Sequence, residues 1–384
     1  MKKNTRASNG SGTFRKRSDG RWEGRYTGPD GRQRSVYGPT QAAVKQAVKQ
    51  AQAEMTLGLY FEPSKTTFEK WARTWLAEYT SHIKPTTRDN YTNYMNNHLI
   101  PALGKIRLSQ LRLVHIQRAF NAMSDKGLSV GTQEAVRIAL SSCLSAAVRF
   151  DMLKSNPCKK VKLGKKQDKD MVIIDRPDMP LFVLAAKQSP YYAAMMVLIQ
   201  TGIRSGELRG LRWSDIDLDN RVMSIRQQVS DTKDGPIIQT TKGYKARDII
   251  LIPETVKVLR EHKKAQAESR IKWGSWHDTD LTRDLVFRME DGDVYSRCTL
   301  AWPVTKVGKA IGINGLHPHS LRDSYAVAAL RSGIEIKTVQ NNLGHKDATI
   351  TLNTYAKYTD DMGRVGAEKF AAYWDENTKN QGQN

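Results

Sequence analysis

Leu316-His317-Pro318-His319-Ser320-Leu321-Arg322-Asp323, and further on Leu343-Gly344-His345 and Thr351-Leu352-Asn353-Thr354-Tyr355-Ala356, are the stretches on which the reading of this chain turns. The first starts a helix on which His319 and Arg322 stand one turn apart on the same face, while Leu321, Tyr325 and Ala328 form a separate apolar face. The polar pair therefore either faces solvent or lines a site. His345 precedes Tyr355 by ten residues. A tyrosine on a helix is ordinarily part of a core, so its significance depends on its company. His317 competes with His319 as the functional imidazole, but only His319 has the His-x-x-Arg spacing.

Further cations stand upstream. Thr201-Gly202-Ile203-Arg204-Ser205-Gly206-Glu207-Leu208 places Arg204 at the opening of a helix with Glu207 one turn on, where the carboxylate can hold the guanidinium. An ordinary surface pair is the plain alternative. Thr241-Lys242-Gly243-Tyr244-Lys245-Ala246-Arg247 lies between two predicted strands, Ile237–Thr240 and Asp248–Ile252, as a hairpin tip that carries Lys242 outward. Around these, helices are predicted over Met179–Ala186, Pro190–Thr201 and Ser205–Trp213, a strand over Val222–Arg226, and helices again from Pro253. No phosphate-binding loop, dinucleotide fingerprint, HExxH or GxSxG stands in its proper structural context.

Taken in order, Arg204, Lys242, His319-x-x-Arg322, His345 and Tyr355 resemble the tyrosine recombinase (phage integrase) family. The catalytic resemblance covers about residues 171–375. The helical segment 66–162 is similar to the family's core-binding domain, and residues 13–57 resemble the three-stranded arm-binding domain of integrases from phages and conjugative transposons. Asp323 follows Arg322 where the family most often has histidine; it and Glu207 are supporting positions. The resemblance implies a site-specific DNA recombinase with Tyr355 as nucleophile, forming a 3′-phosphotyrosyl link that conserves the bond energy for rejoining. Arg204 and Arg322 would each donate two N–H bonds to the developing phosphorane, so no metal or other cofactor is expected. Lys242 would protonate the leaving 5′-oxygen, His319 accept or relay the Tyr355 proton, and His345 donate to the phosphate. A non-catalytic DNA-binding regulator on the same scaffold and a type IB topoisomerase-like relaxing enzyme are the alternatives.

The charge agrees with a polyanionic partner. Sixty-one Lys and Arg face 39 Asp and Glu in 384 residues, a net +22. Residues 1–60 carry +8, residues 61–170 +10, and residues 171–384 only +4. Such a gradient suggests front modules that grip DNA and a rear module with another task. Residues 1–60 are expected to be an arm-site domain, a three-stranded antiparallel sheet covered by a helix over 41–57. Alternation there places Arg15, Arg17, Arg21, Arg25, Arg32 and Arg34 where many share one face, suited to a DNA groove. Residues 61–162 should form an all-helical core-binding domain, with Phe68, Trp71, Trp75, Leu76 and Tyr79 at helical spacing, a helix from Pro85 and another over Ala135–Leu153.

From Lys159 to Asp170 apolar periodicity disappears and the net charge is +4. Lys159, Lys160, Lys162, Lys165 and Lys166 are candidate phosphate contacts, and 163–170 is read as a basic linker. Residues 171–384 complete an α+β catalytic domain ending in a helix whose Met362, Val365, Phe370, Tyr373 and Trp374 either pack in their own domain or dock on a neighbour. The expected assembly is a homotetramer on core and arm DNA, assisted by a directionality factor (excisionase). Hydrophobic residues make up 39% of the chain, and the longest apolar run, Tyr191–Ile199, is too short for a bilayer. The start is basic and polar, and Cys143, Cys158 and Cys298 are too scattered for a disulfide scaffold or cysteine-rich zinc site. A bacterial cytoplasm is the expected compartment.

Overall fold

The computed structural model describes residues 13–28, 31–56, 65–166, 170–240, 246–273, 276, 278–345 and 362–379. The chain forms two compact units that divide between Lys166 and Gln167.

In the first unit, β1 (Thr13–Lys16), β2 (Trp22–Thr27) and β3 (Gln33–Gly38) make an antiparallel sheet in that order. The β1–β2 turn closes at Gly20, whose φ of +81° is left-handed and favours glycine. Register places Phe14, Gly24 and Val36 side by side, and α1 (Gln41–Thr56) packs over them through the buried Val44 and Val48. Gly24 makes that approach possible: a Cβ there would lie 2.5 Å from Val44 Cγ1 and 2.9 Å from Phe14 Cε1.

The helical part of the same unit comprises α2 (Phe68–Glu78), α3 (Pro85–Tyr94), a π-type turn (Met95–Leu99) leading into α4 (Ile100–Leu103), α5 (Leu113–Asp125) and α6 (Val130–Arg149). Thr67 caps α2, which buries Phe68, Trp71, Ala72 and Trp75 at i, i+3, i+4 and i+7. Trp71 Nε1 donates to the Cys143 carbonyl at 3.1 Å, joining α2 to α6. The predicted 135–153 helix begins earlier, at Val130, because the Ser129 hydroxyl accepts from the Thr132 N–H and starts it there. The basic stretch from Lys159 is anchored further than its composition suggests. Pro157–Lys160 is a 3-10 turn, Gln117 exchanges hydrogen bonds of 3.1 and 2.9 Å with the Lys162 backbone, and Val161 and Leu163 pack on the helical core.

The second unit is built on two buried helices, α8 (Tyr192–Thr201) and α12 (Pro318–Arg331). α8 carries most of the longest apolar run of the sequence, and its burial along Ala193–Ile199 explains why that stretch is apolar on every side. Around this pair stand α7 (Met179–Ala186), α9 (Ser205–Arg209), α10 (Pro253–Trp273), α11 (Ala301–Ala310) and α13 (Ile336–Leu343), with a last helix at Met362–Lys379. One sheet has the order β4 (Ile216–Asp217), β5 (Val222–Ile225), β8 (Arg247–Ile250); β6 (Gln227–Thr232) and β7 (Gly235–Thr240) form a separate hairpin.

Four expectations are corrected. The helix predicted to Trp213 stops at Arg209, where Gly210 lies against the Gln228 backbone with no room for a Cβ. β6 was not expected, since Gln227-Gln228-Val229-Ser230-Asp231-Thr232 is polar and only Val229 is buried. Because β6 pairs with β7 and β5 with β8, the two strands expected to make a hairpin on either side of Lys242 do not pair with each other, and residues 241–245 lie outside the described residues. On α12 the proposed apolar face fails: Ala328 is exposed, whereas Arg322, Asp323 and Ser324 are buried with Leu321.

Candidate active site

Arg322 is the organising residue of the second unit. It is 1% exposed, on the central helix α12, and its guanidinium meets the C-terminal ends of two other helices. Nη1 donates to the Gly202 carbonyl at 2.6 Å, just beyond α8, and Nη2 donates to the Leu343 carbonyl at 2.7 Å, the end of α13. Those carbonyls carry the negative end of each helix dipole, so they stabilise a buried cation. Both helices end in a left-handed glycine, Gly202 at φ +67° and Gly344 at φ +63°. Neither tolerates a side chain: a Cβ on Gly202 would lie 2.3 Å from Tyr325 Cδ1, and one on Gly344 would lie 2.8 Å from Arg247 Nη1.

Immediately after that second glycine, His345 turns Nε2 to within 2.9 Å of Arg322 Nη2. A guanidinium only donates, so Nε2 is an acceptor here and the ring proton sits on Nδ1. Burial, then the charges of Arg322, Arg204, His319 and Arg247, press its pKa down to about 4, so the ring is neutral near pH 7. Nδ1–H is therefore the ring's donor.

Arg204 lies on the far side of Gly344. Its Nη2 donates to the Gly344 carbonyl at 3.1 Å and its Nη1 to Glu207 Oε1 at 3.0 Å. Glu207 is no surface partner, being 2% exposed. Its Oε2 accepts from the Arg204 backbone N–H at 2.9 Å, which starts α9, and Arg247 closes a bidentate pair with it at 3.0 and 2.6 Å. Burial pulls the carboxyl pKa upward, but the Arg247 bonds and charge, with Arg204, outweigh it and the net shift is downward. Arg247 Nε reaches the Asn342 carbonyl at 2.9 Å, so one arginine ties β8, α9 and α13 together. Sequence reasoning quoted Arg247 and gave it no role. The signal was its phase: Arg247, Ile249 and Leu251 alternate on one side of a strand whose latter two side chains are buried.

His319 stands at the rim, with a side chain 65% exposed and Nε2 3.9 Å from the buried Asp323 carboxylate one turn on. Desolvation lowers its pKa; Asp323 opposes this, and Arg322, His317 and Arg204 add to it. His317 has a structural task, its Nδ1 accepting from the Ser320 N–H at 3.1 Å to cap α12. Thus Arg204, Glu207, Arg322 and His345 converge, with His319 and Asp323 beside them, while Lys242 and Tyr355 lie outside the described residues.

The profile of the Phage integrase family matches residues 173–362, and that of the phage integrase N-terminal SAM-like domain matches residues 67–124. The chain belongs to the tyrosine recombinase family. It is a tyrosine-type site-specific recombinase. A XerC-like tyrosine recombinase of Caldanaerobacter subterraneus is 27% identical over 84% of this chain and 87% of its own length, and the ICEBs1 integrase of Bacillus subtilis is 24% identical over 77% and 80%. Among solved structures, the Tn1549 transposon integrase in complex with transposon right end DNA superposes with a TM-score of 0.68 at 21% identity, covering 80% of this chain and all of that one. A lambda integrase dimer bound to a core site gives 0.55 at 20% identity over 95% and 98%. These likenesses place the recombinase fold on both units.

The first unit carries the remaining candidates. Arg15, Arg17, Arg21 and Arg25 share the sheet face away from α1, where the guanidiniums of Arg17 and Arg21 lie 5.4 and 5.9 Å from the ring centre of Tyr37. Arg34 does not join them: register sets it opposite Tyr26 on the α1 side, and Arg32 sits in the turn before β3. Lys159, Lys160, Lys162, Lys165 and Lys166 are all exposed. Lys159 and Lys160 border an open groove of about 1050 Å³ together with Arg112 and Lys154, two cations that sequence reasoning did not select.

Proposed function

We propose that this recombinase integrates or excises a mobile DNA element, with Tyr355 attacking a core-site phosphate held by Arg204 and Arg322. The Tyr355 oxygen bonds to phosphorus, the bond to the 5′-oxygen breaks, Lys242 protonates that oxygen, and His319 takes the tyrosine proton. Reversal by a 5′-hydroxyl from another strand restores the phosphodiester and frees Tyr355. The reading is carried by one observation: two arginines from separate elements are anchored on the carbonyls of Gly202, Leu343 and Gly344, and a neutral imidazole accepts from one of them. Cations anchored on helix ends are held in place before charge develops on the phosphorane, so little reorganisation is needed in the transition state. Loss of one such donor costs about 10²–10³ in rate.

The arm-site sheet (1–60), the helical core-binding domain (61–162), the linker (163–170) and the catalytic domain (171–384) would divide the work between grip and chemistry. The lambda relative is known as a tetramer on a Holliday junction, and a homotetramer on core and arm DNA in a bacterial cytoplasm, steered by an excisionase, fits this chain. Exposure of Phe370, Tyr373 and Trp374 on the last helix supports docking of that helix on a neighbouring copy. The test is a nicked duplex carrying the element's end, incubated with chelator. A detergent-resistant protein–DNA adduct is expected from the native chain and none from Tyr355→Phe. An adduct with Tyr355→Phe, or a strict need for magnesium, overturns the reading.

A further inference from the structure

Glu23 lies at the centre of the arginine face of the amino-terminal sheet. It is 1% exposed although it sits on the middle strand of a solvent-facing surface, because arginines cover it. Its carboxylate accepts from Arg15 Nε at 2.6 Å, Arg25 Nε at 3.0 Å and the Ser35 hydroxyl at 2.8 Å, with Arg17 Nη1 at 3.6 Å. The Arg15, Arg25 and Ser35 bonds hold the carboxyl pKa down to about 2, so the negative charge is permanent near neutrality. Arg15 and Arg25 are engaged through Nε while their side chains stay 60% and 41% exposed, and among the described residues their terminal nitrogens donate to no acceptor.

A loose surface arginine suits a phosphate, which accepts donors from many directions. An arginine pinned at Nε has surrendered much of its rotamer freedom before any ligand arrives and presents a fixed pair of donors. The carboxylate also lowers the net charge of the face, which weakens generic attraction to the backbone. Both effects favour a partner whose acceptors are themselves fixed and paired, and the guanine edge in the major groove, O6 beside N7, is that partner. We propose that Glu23 is a positioning residue that sets Arg15 and Arg25 to read guanines in the major groove. The proposal rests on the reading that the amino-terminal sheet binds DNA.

Selection from a random duplex pool by the full chain carrying Tyr355→Phe tests it. That chain is expected to enrich a motif containing guanines. Adding Arg15→Lys or Arg25→Lys keeps the charge, removes the fork, and should reduce preference at one guanine each by about tenfold or more. Glu23→Gln should flatten both positions while binding to unselected duplex stays equal or rises, since a negative charge is removed; a purely structural role would weaken all binding together. Ser35→Ala, which loosens Glu23 without touching an arginine, should weaken the same positions partly. A folded Glu23→Gln chain that enriches the unchanged motif overturns the proposal. Should that variant fail to fold, an unchanged motif with both lysine variants overturns it instead. If replacing Arg15, Arg17, Arg21 and Arg25 together by alanine leaves binding intact, the sheet does not hold DNA and the underlying reading fails as well.

Discussion

Glu207 shows how a single buried carboxylate can be shared between two arginines. Besides the backbone carbonyls that each arginine meets, it supplies the negative charge that offsets the repulsion between the Arg204 and Arg247 guanidiniums. Arg247 matters equally from the other side. In Arg247→Ala the carboxylate keeps Arg204 but loses its bidentate partner, and removing one member of a buried pair costs about 3–5 kcal/mol. Urea denaturation of the second unit should show that loss, and a change below about 1 kcal/mol, the range of an exposed pair, would contradict the geometry. His345 makes a pH-dependent contribution whose sign is set by its lowered pKa. An unfolded chain protonates this ring near 6.5, and the folded chain resists protonation down to about 4. The contribution is fully present above the unfolded value and is lost as pH falls through the folded one. Between pH 7 and 4.5 the melting temperature of His345→Gln should therefore fall less steeply than that of the native chain; parallel curves would place the ring outside the arginine cluster.

At the level of elements, glycines decide which surfaces approach. Gly24 lets α1 settle on the sheet, and an alanine there pushes against both Val44 and Phe14. Overpacking of this kind costs about 1–3 kcal/mol. Gly24→Ala should accelerate hydrogen exchange in α1 while leaving the amides of α8 and α12 unchanged; equal protection in α1 would show that the sheet absorbs the methyl group. The elements also show where sequence patterns fail. Strands β1 to β3 were legible because Gly-containing turns punctuate alternating aromatics. β6 was not, because its neighbours Gly206 and Gly210 approach its backbone, and no apolar alternation marks a strand held that way. Arg34 was misplaced for a related reason: alternation assigns two faces within a strand, but inter-strand register decides which face each set joins.

For the molecule as a whole, the last helix presents Phe370, Tyr373 and Trp374 to solvent and touches α12 only lightly, with Lys369 donating to the Gly333 carbonyl at 3.1 Å. A chain ending before Met362 should keep the melting transition of the second unit and lose assembly of paired sites and strand exchange, as read by gel mobility and product formation. Unchanged exchange would return that helix to a local packing role. Spacing along the chain was enough to identify the family and to pick out Arg204, Glu207, His319, Arg322 and His345, because a helix turn and a motif are local properties. Only the tertiary structure decided how those residues are placed. Arg322 faces inward onto two helix ends, Glu207 is shared with an arginine forty positions away, and His345 accepts from Arg322 through Nε2. Long-range contacts of this kind depend on how α8, α12 and α13 pack, and no periodicity records which carbonyl a buried guanidinium will meet.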